Sequence, residues 1–382
     1  MRMILNNVQQ TVVSTYITNE LQEHRINQDF KKIFYPLHLI LVITSASRYK
    51  IRSDLVTPIS KKFIVIQFIF VFGVQIASSL HELIFISNNI NFTSDLLYWI
   101  LIWIGCCLSF VEEFFYRHDN YLLILSFQEI HKAFDYNKRF NSYLTRNWIF
   151  VLAVYFFNVL MTFVIYTNPE KFDLLKWISD LVCIKFDVVF IVAYRVLALL
   201  TLYVDEWIKC VRRLDNGNNN EPIEFHCEKL LKTYDNIIKS YDMFKKVFQI
   251  SVLFYTMDSF GRTVLYTKII LNINEYDVDD MLFSSILSFI WFAKNFIMLT
   301  IYNVQCEQFY MKVEEAQSAS IQFDDRLNSE SEKFFRRRIL QRNCTFTKMT
   351  ACGLFYVDAM LPIRFLLLTT NHVIVLLQFA FL

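Results

Sequence analysis

Thr369-Thr370-Asn371-His372-Val373-Ile374-Val375-Leu376-Leu377-Gln378-Phe379-Ala380-Phe381-Leu382 closes this chain. After His372 the stretch is apolar except for Gln378, and it ends a run that begins near Met360. A helix needs about 20 such residues to cross the hydrocarbon core of a bilayer. Helical spacing puts Asn371, Val375, Gln378 or Phe379, and Leu382 on one stripe. Polar and apolar rings alternating along a stripe suit a narrow pore, where the apolar ring gates by dewetting and the polar ring meets the ion. The other reading is that Gln378 hydrogen-bonds across a helix interface. The residues leave both open.

Working outward, six more runs qualify as spans: Phe63–Ile86, Leu96–Tyr116, Trp148–Thr167, Trp177–Val204, Ile250–Leu271 and Met281–Val304. Composition agrees. Of the 382 residues 55% are hydrophobic and 19% charged, with only 5 Gly and 5 Pro, so the apolar surplus calls for lipid. The scarcity of glycine excludes the phosphate-binding loops of nucleotide enzymes. A shorter run, 33–47, contains Pro36 and is flanked by basic residues on both sides, which predicts a half-inserted or interfacial helix. The expected fold is therefore an all-α polytopic membrane protein with seven transmembrane helices and long cytoplasmic helical extensions.

Orientation follows from Lys and Arg. The polar stretch Met1–Lys32 lacks the pattern of a signal peptide, which predicts a cytoplasmic N-terminus. Segments 1–62, 117–147, 205–249 and 305–359 then lie inside and carry 30 of the 38 basic residues, against two, Lys171 and Lys176, in the outer loops. The C-terminus falls outside. Asn91-Phe92-Thr93 is a glycosylation sequon in the first outer loop, whereas Asn343-Cys344-Thr345 falls inside and unused. Three parts follow: a cytoplasmic N-terminal region (1–62), a six-span sensing region (63–304, including the extension 205–249), and cytoplasmic anchor helices with the seventh span (305–382). An inside N-terminus is the reverse of a G-protein-coupled receptor. A metabotropic receptor or a small-molecule transporter with the same span count stands as the alternative, although transporters favour Gly/Pro-broken helices.

Within 223–249, Leu230, Tyr234, Ile237, Tyr241, Phe244 and Phe248 recur in steps of four and three, a heptad seam that packs either on its own protomer or, the favoured reading, near an axis shared with other subunits. Charges inside spans face cavities, partners or water. Asp258 and Arg262, four apart, are expected to neutralise each other. Asp180, in the outer third of its span, shares its depth with Tyr98, Trp99, Trp177, Tyr266, Ser288 and Trp291. Together these seven are the candidate lining of an outward pocket, with aromatic walls and a few orienting polar groups. Each aromatic alone reads equally as an interfacial belt residue. None of the eight cysteines has metal-ligand spacing with a histidine, and the cysteines suggest no disulfide framework. His131-Lys132-Ala133-Phe134-Asp135 reads as a chance acyltransferase-like match without a supporting Gly-rich loop. No catalytic site, metal, cofactor or nucleic-acid partner is expected.

The ending resembles that of insect gustatory receptors, whose last span reads Thr-Tyr, five hydrophobic residues, then Gln-Phe. Here Val373 to Leu377 are followed by Gln378-Phe379 in register, and Asn371-His372 stands where Thr-Tyr is usual. Upstream, Cys352-Gly353-Leu354-Phe355-Tyr356-Val357-Asp358 is similar to the family's Gly-Leu-Phe-x-x-Asp stretch. The resemblance, that of a divergent member, implies a non-enzymatic tastant receptor in the plasma membrane. It implies a homo- or heterotetrameric, ligand-gated, non-selective cation channel in contact with membrane lipid. By position it implies pore and gate roles for Asn371, Val375, Gln378 and Phe379.

Overall fold

A computed structural model describes residues 27–52, 55–86, 92–134, 138–166, 173–215, 223–271, 278–322 and 330–381. The chain is an all-α polytopic membrane protein. In order, its helices are α1 (Gln28–Ile43), α2 (Lys61–Ile86), α3 (Phe92–Phe115), α4 (Arg117–Ala133), α5 (Lys138–Ile165), α6 (Leu174–Asp215), α7 (Ile223–Leu271), α8 (Val278–Gln322), α9 (Glu330–Cys344) and α10 (Leu361–Phe381). Two small antiparallel hairpins interrupt them, β1 (Lys50–Arg52) with β2 (Leu55–Thr57), and β3 (Thr350–Ala351) with β4 (Phe355–Tyr356).

Five of these helices, α2, α3, α5, α8 and α10, are long and apolar enough to cross a membrane. The two other runs expected to span lie in α6 and α7, the central helices on which most of the others pack. α6, α7 and α8 run 42, 49 and 45 residues. At 1.5 Å per residue that is about 63–74 Å, twice the thickness of a hydrocarbon core of about 30 Å. Each of these helices is therefore about twice as long as a membrane crossing requires.

That extension corrects one expectation. The seam Leu230, Tyr234, Ile237, Tyr241, Phe244 and Phe248 does not wait for a second subunit, because all six side chains are buried inside this chain. Tyr234 packs on Trp207 of α6 at 4.7 Å between ring centroids, and Tyr241 packs on Phe309 of α8 at 4.6 Å and on Phe346 at 5.3 Å. Trp207 Nε1 donates to the Leu230 carbonyl at 2.9 Å, so the ring is held by packing and by its one polar atom. Asn343, of the inner sequon, accepts from Tyr234 Oη at 2.5 Å and is committed to this core.

The run expected to lie half-inserted forms α1, capped by Asn27, whose side chain accepts from the Asp29 amide. Phe30, Ile33, Phe34, Leu37 and Leu41 are buried, on a helix packed against α5 and α6, and Tyr35, Val42 and Ile43 remain exposed. His131 of α4, from the acyltransferase-like match, is buried beside Phe30, Phe140 and Tyr203. That burial pushes its imidazole pKa below the ordinary histidine range.

Candidate functional site

Ionised groups inside a membrane bundle are stable only when answered by partners. Lys294 Nζ of α8 donates to Asp187 Oδ2 of α6 at 2.6 Å. On α7, Arg262 Nε reaches both oxygens of Asp258, at 3.0 and 2.8 Å, so the i, i+4 neutralisation expected of this pair is present. Tyr166 Oη donates to Asp180 Oδ2 at 2.9 Å. Aromatic faces serve the cations from the other side. The Arg262 guanidinium lies 5.1 Å from the Tyr98 ring centre, and Lys294 Nζ lies 3.8 Å above Trp291.

Tyr166 apart, these groups are walls of one cavity between α3, α5, α6, α7 and α8, with room for about 80 Å³ of water-sized occupants. A single water needs roughly 10–15 Å³ by that measure, so several fit. Tyr98, Tyr266 and Trp291 supply the aromatic walls, while Asn158, Thr162 and Asn295 add neutral hydrogen-bonding groups. Three carboxylates, Asp180, Asp187 and Asp258, meet two cations, Arg262 and Lys294. Asp187 and Asp258 each have a cation in direct contact, which leaves Asp180 held by a neutral hydroxyl.

Of the seven residues expected to line an outward pocket, the structure brings Tyr98, Asp180, Tyr266 and Trp291 together on the wall of this cavity. Trp99, Trp177 and Ser288 do not. Trp99 follows Tyr98 by one residue, about 100° around the helix, and its Nε1 donates to Glu82 Oε2 of α2 at 3.1 Å. Glu82 also takes the Lys176 ammonium, so this corner is a separate polar contact between α2, α3 and α6. Trp177 and Ser288 are half-buried and lie off the cavity wall. The residues that sequence reading did not assign to the pocket, Asp187, Asp258, Arg262 and Lys294, carried a signal in their charge at membrane depth. Tyr255, Asn158, Thr162 and Asn295 carried none.

The terminal helix has a built-in start. In the β3–β4 turn Cys352 (φ 50°) and Gly353 (φ 77°) occupy the left-handed region, which glycine enters at no steric cost. Asp358 then receives the Met360 amide on Oδ1 at 3.0 Å and the Leu361 amide on its carbonyl at 3.1 Å, opening α10. Tyr310 of α8 pins the hairpin, donating to the Val357 carbonyl at 3.0 Å and accepting from the Met349 amide at 3.1 Å. The Gly-Leu-Phe-x-x-Asp stretch is thus a turn followed by a helix cap.

α10 packs on α7 and α8, with Leu361, Pro362, Phe365 and Thr369 buried. His372 meets Phe260 of α7 edge-on at 5.0 Å. Asn371, Val375, Gln378 and Phe379 are all exposed, Phe379 to 78%. Asn91, the expected glycosylation site, lies outside the described residues.

No family model matches this sequence, and no curated protein matches it. Among the solved structures that share its fold are those of the insect olfactory receptor OR5 from Machilis hrabei, alone and in complex with eugenol. Each aligns with a TM-score of 0.61 over 91% of this chain and 98% of that one, at 12% identity. At that identity the likeness is one of fold.

Proposed function

We propose that this chain is a subunit of a chemosensory receptor of the gustatory kind. It acts as a tastant-gated, non-selective cation channel in the plasma membrane, with its N-terminus in the cytosol and seven spans in which α6 and α7 are included. The observation that carries the reading is the uncovered face of α10. A membrane helix that packs along one edge, yet presents Asn371, Val375, Gln378 and Phe379 on its open side, suits a place beside an axis shared with other copies. In a homo- or heterotetramer four such faces enclose a path in which Gln378 meets the ion and Val375 and Phe379 form apolar rings.

The cavity is the proposed ligand site. Its aromatic walls offer stacking surface, and Asp180 is the carboxylate free of a direct cation contact. The same fold houses an olfactory receptor complexed with eugenol, which supports a small-molecule ligand here. Asn91 is proposed as a glycan site in the first outer loop.

The test is agonist-evoked current from the expressed receptor, read against surface-labelled protein. Gln378→Ala is expected to change ion selectivity, and Val375→Trp to reduce current at least tenfold. Current unchanged in both variants would remove α10 from the pore.

A further inference from the structure

A second cavity, of about 410 Å³, opens at the other end of the bundle between α5, α6 and α8. α5 and α8 both pack against α6, and the cavity occupies the gap between them. Its walls include Arg146 on α5, Arg195 and Asp205 on α6, and Gln305, Gln308 and Lys312 on α8.

Arg195 makes this cavity unusual. It is only 2% exposed, and its side chain is fixed by Asn147 Oδ1 at 2.6 Å, the Tyr143 carbonyl at 3.4 Å and the Tyr143 ring at 4.4 Å. All of those partners are neutral, and among the described residues no carboxylate pairs with it. A guanidinium does not give up its proton, so a permanent buried cation sits against open space without a counter-charge. Arg146, exposed at the rim, also has no partner among the described residues. Lys312 is shared between Asp205 at 2.9 Å and Glu315 at 2.7 Å. Three cations thus face one carboxylate within the walls.

Position identifies the anion. Arg146 lies just before the apolar run of α5, and Gln305 just after that of α8, the level at which lipid headgroups meet water. Directly membrane-ward, Ile149 and Leu152 on α5 and Ile297 and Val304 on α8 are exposed, an apolar flank for acyl chains.

We propose that this cavity holds the phosphate-bearing headgroup of an anionic membrane lipid, with Arg195 and Arg146 on the phosphate and Gln305 and Gln308 facing headgroup hydroxyls. A soluble inositol phosphate offers the same chemistry, and the apolar flank selects the lipid. The inference rests on the membrane placement alone and stands whether or not the chain is a taste receptor.

The test uses the full chain in phosphatidylcholine nanodiscs, with and without a few mole per cent of phosphatidylinositol bisphosphate. The lipid is expected to raise the thermal midpoint by about 5 °C, the order expected near saturation. Arg146→Glu, an exposed change, is expected to leave the phosphatidylcholine midpoint in place and abolish the rise. Ala198→Phe, which fills the cavity without touching charge, is expected to abolish it as well. No rise in the unaltered chain, an equal rise in Arg146→Glu, or an equal rise from soluble inositol trisphosphate in phosphatidylcholine discs each overturns the proposal.

Discussion

On the proposed membrane placement α6, α7 and α8 run through two environments. Past the membrane they are joined by rings: Trp207, Tyr234, Tyr241 and Phe309 interlock with little space between them. Around the cavity the Asp187–Lys294 pair ties α6 to α8, Asp258 and Arg262 pair on α7, and open space remains among the three helices beside the stacked Phe190 and Tyr255 rings. Close packing has one good arrangement and resists small displacements. Charged pairs around a wet space can exchange partners with water or a ligand at modest cost. The first region is built to stay in place and the second to adapt.

Removing a ring from the packed end carries the largest expected effect. Trp207→Ala leaves a cavity and the Leu230 carbonyl without its donor, and is expected to destabilise the chain by about 4 kcal/mol. A midpoint unchanged in detergent would show that the extension is not the stable half. At the cavity end, Lys294→Met leaves Asp187 buried without its cation and is expected to cost about 3 kcal/mol. Adding Asp187→Asn should recover most of that loss, because the pair's attraction mainly offsets its own desolvation. If the double variant is as unstable as the single one, Asp187 and Lys294 do not act as a pair.

The smallest effect asks whether the packed end excludes water. Burial holds the His131 imidazole below its ordinary pKa, so the unfolded chain takes up the proton at higher pH than the folded one. The folded state therefore loses stability as pH falls below about 6.5, by at most about 1.4 kcal/mol by about pH 5.5. His131→Gln is expected to flatten that stretch of the stability profile. An unaltered slope in the variant would assign the pH dependence to another group.

Much of the fold was legible in the sequence because lipid and helix geometry impose period and length. The apolar runs recur as α2, α3, α5, α8 and α10, and the heptad seam recurs as one buried face of α7. What covers a face is written elsewhere in the chain. The seam's partners Trp207, Phe309 and Phe346 lie far away in the sequence, so an apolar stripe in water read as an invitation to a second subunit. Depth was also legible and azimuth was not. Tyr98 and Trp99 sit at one level, yet only Tyr98 turns to the cavity, since lipid and protein interior are both apolar and the alternation that marks a soluble helix is absent. Lys294 was recognisable as a charge at membrane depth. Its partner, 107 residues earlier, was not.

α8 carries Lys294 and Trp291 at the cavity and Tyr310 at the hairpin that starts α10. Sixteen residues of continuous helix separate Lys294 from Tyr310, a rod of about 24 Å. Tyr310 is buried against Tyr241 and Phe346 in the packed end, so a tilt of about 5° pivoting there carries Lys294 sideways by about 2 Å over that length. The Val357 carbonyl and the Met349 amide are bonded to that one phenol, so the foot of α10 is anchored to the packed end. One continuous helix thus links the wall of the cavity to the start of the terminal helix.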